Sequence, residues 1–147
     1  MVSVRRLHEA AAWLFVASAV VQVFLAGLGV FDDPGAFVTH RQFGYTFGWL
    51  TLVLLVLAIV GRMGRRIVGL SALILGLFAL QSVLVALRAD LPAVAALHPV
   101  NGFAIVYVAI ALARASRASR VTGAARPSGD APGRGAPPAE AWEGSPQ

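Results

Sequence analysis

Two histidines, His40 and His98, are each followed four residues later by a glycine, Gly44 or Gly102, and preceded at a distance by a glutamine, Gln22 or Gln81. The histidines stand 58 residues apart and the glutamines 59, so a Gln…His-x3-Gly pattern occurs twice at nearly one period. Imidazole is both a common metal ligand and a haem ligand. A haem held on both faces needs one imidazole per face, flat space beside each, aromatic walls and cations for its propionates. Gly44 and Gly102 offer the space, Tyr45, Trp49, Phe103 and Tyr107 the walls, and Arg41 and Arg88 the cations. Gln22, Gln81 and Asn101 are suited to orient an imidazole through its other nitrogen. The specific expectation is a b-type haem between His40 and His98. A plainer one stays open beside it: a structural or accessory membrane protein without cofactor. There the histidines bond to Gln and Asn across helices and set their register, and Asp33 and Asp90 neutralise Arg41 and Arg88.

Other chemistries fail on composition. The chain has no cysteine, which removes disulfides, thiolate metal sites, iron–sulfur clusters and cysteine nucleophiles together. Two histidines with carboxylates only in neighbouring loops fall short of the three or four ligands zinc takes. No Ser-His-Asp set is both close in depth and enclosed, so no catalytic residues are assigned. His8, beside Glu9, reads as a solvated boundary residue. The net charge of +5 is carried by twelve arginines and no lysine. Most of them flank apolar runs, where membrane topology explains them better than nucleic-acid binding does. Arginine-only usage with abundant Ala and Gly points to a GC-rich bacterial genome.

The elements that must position these residues are membrane spans. With 58% hydrophobic and 13% charged residues in 147, the chain is too apolar for an ordinary soluble domain. Spans are predicted at about 10–31, 37–61, 67–87 and 92–113, each long enough to cross about 30 Å of hydrocarbon. The first is too long for the apolar region of a cleaved signal peptide, about 7 to 15 residues. Asp33-Pro34 and Asp90-Leu91-Pro92 read as caps with proline in the first turn. Arg5, Arg6, Arg62, Arg65, Arg66, Arg114, Arg117 and Arg120 fall on one side of four spans, which predicts both termini cytoplasmic in a bacterial inner membrane. Short loops favour an all-α, up-down-up-down four-helix bundle built from two repeated helical hairpins over residues 1–120. Residues 121–147, rich in Gly, Pro, Ala, Ser and Arg, are expected to form a disordered cytoplasmic tail.

In such a bundle spans two and four are diagonal, so His40 and His98 approach each other across the axis, each about 9 Å in from the helix start at about 1.5 Å per residue. The fourth span ends early, at Ala113, and Pro99 kinks it unless the helix restarts there with proline in its first turn. The partners expected are the lipid bilayer and, with haem, a redox partner or quinone.

The run Gln22-Val-Phe-Leu-Ala-Gly-Leu-Gly-Val-Phe31, the outer His40 and the Leu97-His-Pro-Val-Asn-Gly102 signature resemble a small bacterial family of four-span membrane proteins. That family is catalogued only as a domain of unknown function, numbered 6220; the likeness covers residues 5–120 and implies no activity. A weaker likeness is to one half of a haem A synthase, a four-helix unit whose second and fourth helices carry haem-ligating histidines. His40-Arg41 matches that family's His-Arg pair and His98 the partner position. Phe37 stands where the family has a glutamate, and the chain is half as long, so the resemblance implies haem binding rather than synthase activity.

Overall fold

The computed structural model describes residues 3–124. Five helices follow one another: α1 (Val4–Phe31), α2 (Ala36–Val60), α3 (Arg65–Ala86), a single turn α4 (Pro92–Ala95), and α5 (His98–Ala124). Ser3 caps α1, its side chain accepting from the Arg6 N–H. α1 packs on α2 and α5, and α3 on the same two, so α2 and α5 face each other along one diagonal of a square bundle. Four segments are long and apolar enough to cross a membrane: α1, α2, α3, and α4 with α5 as Pro92–Ser119. Large apolar side chains such as Phe24, Phe31, Val56 and Val60 point outward, where lipid covers them. The chain is an integral membrane protein with four spans.

The polar ends of the bundle differ. Asp32, Asp33 and Asp90 mark one, here called the acidic end; Arg5, Arg62, Arg65 and Arg66 mark the other, the arginine end. The enclosed core lies toward the arginine end: Ala12 and Phe15 of α1, Leu54 and Ala58 of α2, Ile67 and Ile74 of α3, and Leu112 and Ala113 of α5. A layer of rings closes it toward the middle. Phe47 stands 5.3 Å from both Phe15 and Phe78, and Phe15 lies 6.3 Å from Phe78. Gly48 makes room for that layer, since a Cβ there would reach 2.5 Å from the Phe78 ring.

At the arginine end α2 stops in a Schellman turn. Arg62, at φ 47°, occupies the left-handed position usually given to glycine. Its N–H donates to Ile59 O at 3.0 Å, and the Met63 N–H to Ala58 O at 3.0 Å. Gly64 follows with φ 86°, a conformation that favours glycine. Between these two residues Met63 turns back into the core, 5% exposed.

Three local expectations need correction. Asp33 does not cap α2: its carboxylate accepts from Gly35 N–H at 2.8 Å, closing the turn before the helix begins at Ala36. Asp90 does not cap either, although Pro92 does open α4. The helix of the fourth span does not stop at Ala113: α5 runs on to Ala124, with Ala115 packed on the core and Ser116 buried. The first four residues of the expected tail are therefore helical, and residues 125–147, with Trp142, lie outside the described residues. At Pro99 the restart is the form adopted. α4 ends at Ala95, α5 begins at His98, and the Asn101 N–H donates to Leu97 O, so the proline sits in a first turn where its missing N–H costs nothing.

Candidate functional site

His40 lies in the second turn of α2 and His98 at the first residue of α5. Because these helices are diagonal, the rings meet across the axis with centroids 6.3 Å apart and planes inclined by 65°. The two histidines do share one level.

Each ring is held by the glutamine of the preceding span. His40 Nδ1–H donates to the Gln22 backbone carbonyl at 3.0 Å, and His98 Nδ1–H to the Gln81 carbonyl at 3.4 Å. A carbonyl can only accept, so the proton is assigned to Nδ1 and the lone pair to Nε2. That lone pair accepts from the glutamine amide: Gln22 Nε2 stands 3.1 Å from His40 Nε2, and Gln81 Nε2 3.2 Å from His98 Nε2. The Gln22 amide also donates to the His40 carbonyl at 2.8 Å.

The glycines show where these amides fit. A Cβ on Gly44 would come within 2.9 Å of Gln22 Nε2, and one on Gly102 within 3.6 Å of Gln81 Nε2. The space expected beside each ligand is thus a notch holding a glutamine side chain, tight in the first hairpin and looser in the second.

The two clasps differ in one partner. Asn101 donates to Leu77 O at 2.9 Å and to the Gln81 side-chain oxygen, completing the second clasp. The residue three after His40 is Phe43, which offers no donor but packs 5.4 Å from Phe47. Gln22 Oε1 is consequently buried with no hydrogen-bond partner.

The remaining expected residues are not drawn in. Arg41 and Arg88 are exposed. The Arg88 guanidinium, in the turn after α3, donates to Val85 O at 3.4 Å, and no ion pair joins either arginine to Asp33 or Asp90. Tyr45, Trp49, Phe103 and Tyr107 are 65% to 76% exposed and face outward, not toward the histidines. Five residues beyond each histidine, at about 100° per residue, is a rotation of roughly 140° away from the axis.

His8 is the residue misjudged from the sequence: it is fully enclosed, 0% exposed. Its Nδ1 lies 3.0 Å from Ser116 Oγ of α5 and its Nε2 3.5 Å from Ser71 Oγ of α3. Each hydroxyl also lies within reach of the carbonyl four residues back, Ile67 O at 2.9 Å and Leu112 O at 2.8 Å; with one hydrogen per hydroxyl, the serine facing the unprotonated ring nitrogen donates to His8 and the other donates to its carbonyl. One imidazole thereby ties three helices together near the arginine end. The signal was available, because His8, Ala11, Ala12, Phe15, Ser18 and Ala19 form the buried stripe of α1.

Among the described residues no three His, Cys, Asp or Glu side chains gather into a metal-binding group. The acidic-end site is chemically a pair of oriented imidazoles, two amides and one unpaired acceptor, partly exposed within the bundle.

A sequence-family profile described as "Family of unknown function (DUF6220)" matches residues 22–89, from Gln22 through α2 and α3 to the residue before Asp90. It therefore takes in His40 and Gln81 and stops short of His98. No curated protein and no solved structure matches the chain.

Proposed function

We propose that this is a bacterial inner-membrane protein, both termini cytoplasmic, in which His40 and His98 hold one b-type haem for electron transfer or haem handling. The observation that carries the proposal is the edge-to-face approach of the two imidazoles across the bundle axis. The rings stand 6.3 Å apart on diagonal helices, so one imidazole from each side of the axis would be within reach of a shared group once the glutamine amides release Nε2. Each Nδ1 is anchored on a backbone carbonyl, the partnership that leaves Nε2 as the ligating atom and raises its basicity. With two protein ligands only, the remaining donors must arrive with the cofactor, as the four of a porphyrin do. Haem supplies one-electron chemistry, and a membrane quinone or a protein redox partner is the counterpart this reading calls for. The chain's own contribution is to present two oriented imidazoles and to turn both glutamine amides away from Nε2 on loading. The matching clasps in α1–α2 and α3–α5 also support reading the bundle as two copies of one hairpin.

A second reading is favoured by those same amides. Both Nε2 lone pairs already accept, and the Gly44 notch is full, which suits a cofactor-free clasp that fixes helix register in a structural or accessory subunit. One measurement separates the two. The protein, purified in detergent from haem-sufficient cells, is expected to give a reduced-minus-oxidised spectrum with Soret and alpha bands that His40→Ala and His98→Ala each abolish. Absence of the bands decides for the clasp, and bands that survive both substitutions move the ligands elsewhere.

A further inference from the structure

A separate feature lies at the arginine end. Beyond the level of His8, α3 and α5 leave between them an open cleft of about 340 Å³, the size of small-molecule sites. Gly64, Arg65 and Arg66 line one side, Ala115, Ala118 and Ser119 the other, and Met63 and Ile67 form an apolar floor. Small residues on the α5 wall keep it open. α3 starts at Gly64 with no side-chain cap, so its first-turn N–H groups are available to an external acceptor. Arg62, Arg65 and Arg66 are exposed and make no hydrogen bond or ion pair through their side chains among the described residues. Arg5, by contrast, is engaged on Ser119 Oγ at 2.6 Å. Glu9 is the only carboxylate at this end among the described residues.

We infer that this cleft binds the headgroup of an anionic phospholipid. Charge complementarity selects the sign: a guanidinium pair beside uncapped backbone donors matches a phosphodiester, through charge-assisted hydrogen bonds. Position selects the source. The cleft begins where α2 ends and α3 starts, the depth of lipid headgroups, and in the orientation proposed above it opens on the cytoplasmic face, where cationic recesses between transmembrane helices suit such lipids. The apolar floor then meets the glycerol and the first acyl carbons. The inference stands apart from the haem reading, sharing no residue with it.

Native mass spectrometry of the full chain in a neutral detergent tests it, with phosphatidylglycerol, phosphatidylcholine and inorganic phosphate added in turn. Phosphatidylglycerol is expected to bind at least about tenfold more tightly than phosphatidylcholine, and inorganic phosphate at equal concentration to leave it in place. R65Q/R66Q should weaken phosphatidylglycerol by about tenfold or more. Ala118→Leu, which fills the cleft from the opposite wall with every charge retained, should weaken it too, and it carries the test if the arginine variant fails to insert. Equal binding of the two lipids, full displacement by phosphate, or undiminished binding in Ala118→Leu would overturn the assignment.

Discussion

Toward the arginine end, Phe15, Leu54, Ile74 and Leu112 are wholly enclosed, and even the polar His8 is sealed among three helices. Toward the acidic end the buried residues are few, Gly29, Leu84 and Asn101, neither of the last two wholly enclosed, and the helices are joined by Gln22 to His40 and Gln81 to His98. One half is held by close packing, the other by hydrogen bonds worth about 0.6 to 2 kcal/mol each. Such bonds set register and can be exchanged for others at little cost, whereas the enclosed core around Phe15, Leu54 and Leu112 would lose close packing to any insertion. The difference between the three histidines follows: His8 is an enclosed tie, while His40 and His98 are partly exposed ties that meet edge to face.

The comparison can be broken at its packed side first. Phe15→Ala removes a wholly enclosed ring from the layer and is expected to destabilise the protein by about 3–5 kcal/mol, read as a large drop in melting temperature in detergent. A drop no greater than that of an acidic-half variant would show that the ring layer is not the anchor. His8→Ala removes a tie between α1, α3 and α5 and leaves a small void. Its expected cost is roughly 2 to 3 kcal/mol, with any haem spectrum unchanged in band position; a shifted band would join His8 to the site at the acidic end. The smallest effect is the sharpest. Gly44→Ala drives a methyl against the Gln22 amide, while Gly102→Ala makes only ordinary contact with Gln81. Both gain helix propensity equally, so Gly44→Ala should be less stable than Gly102→Ala by about 1 kcal/mol. Equal melting temperatures would mean that the two notches are interchangeable.

Much of this was legible in the sequence. The spans follow from apolar runs bounded by Asp, Pro and Arg, and the diagonal meeting of His40 and His98 follows from four antiparallel spans taken in order. The proline at 99 left two outcomes, and the restart is the one that costs no helical hydrogen bond. What spacing could not show is what fills a notch. Gly44 and Gly102 announced space beside each histidine, but a glutamine from the neighbouring span occupies it, and no pattern within one helix reveals a partner on another. Two misreadings were avoidable. His8 was judged by its charged neighbour Glu9 rather than by the period of Ala11, Ala12 and Phe15. Tyr45, Trp49, Phe103 and Tyr107 were assigned to the interior although their offsets from the histidines rotate them toward lipid.

The turn that carries Met63 back into the core has a consequence for traffic. Its side chain, with Ile67 and Ala58 around it and the phenylalanine rings above, stoppers the arginine end from within. The axis between the paired imidazoles and the arginine end is therefore filled by side chains, and any path along it would have to displace that packing.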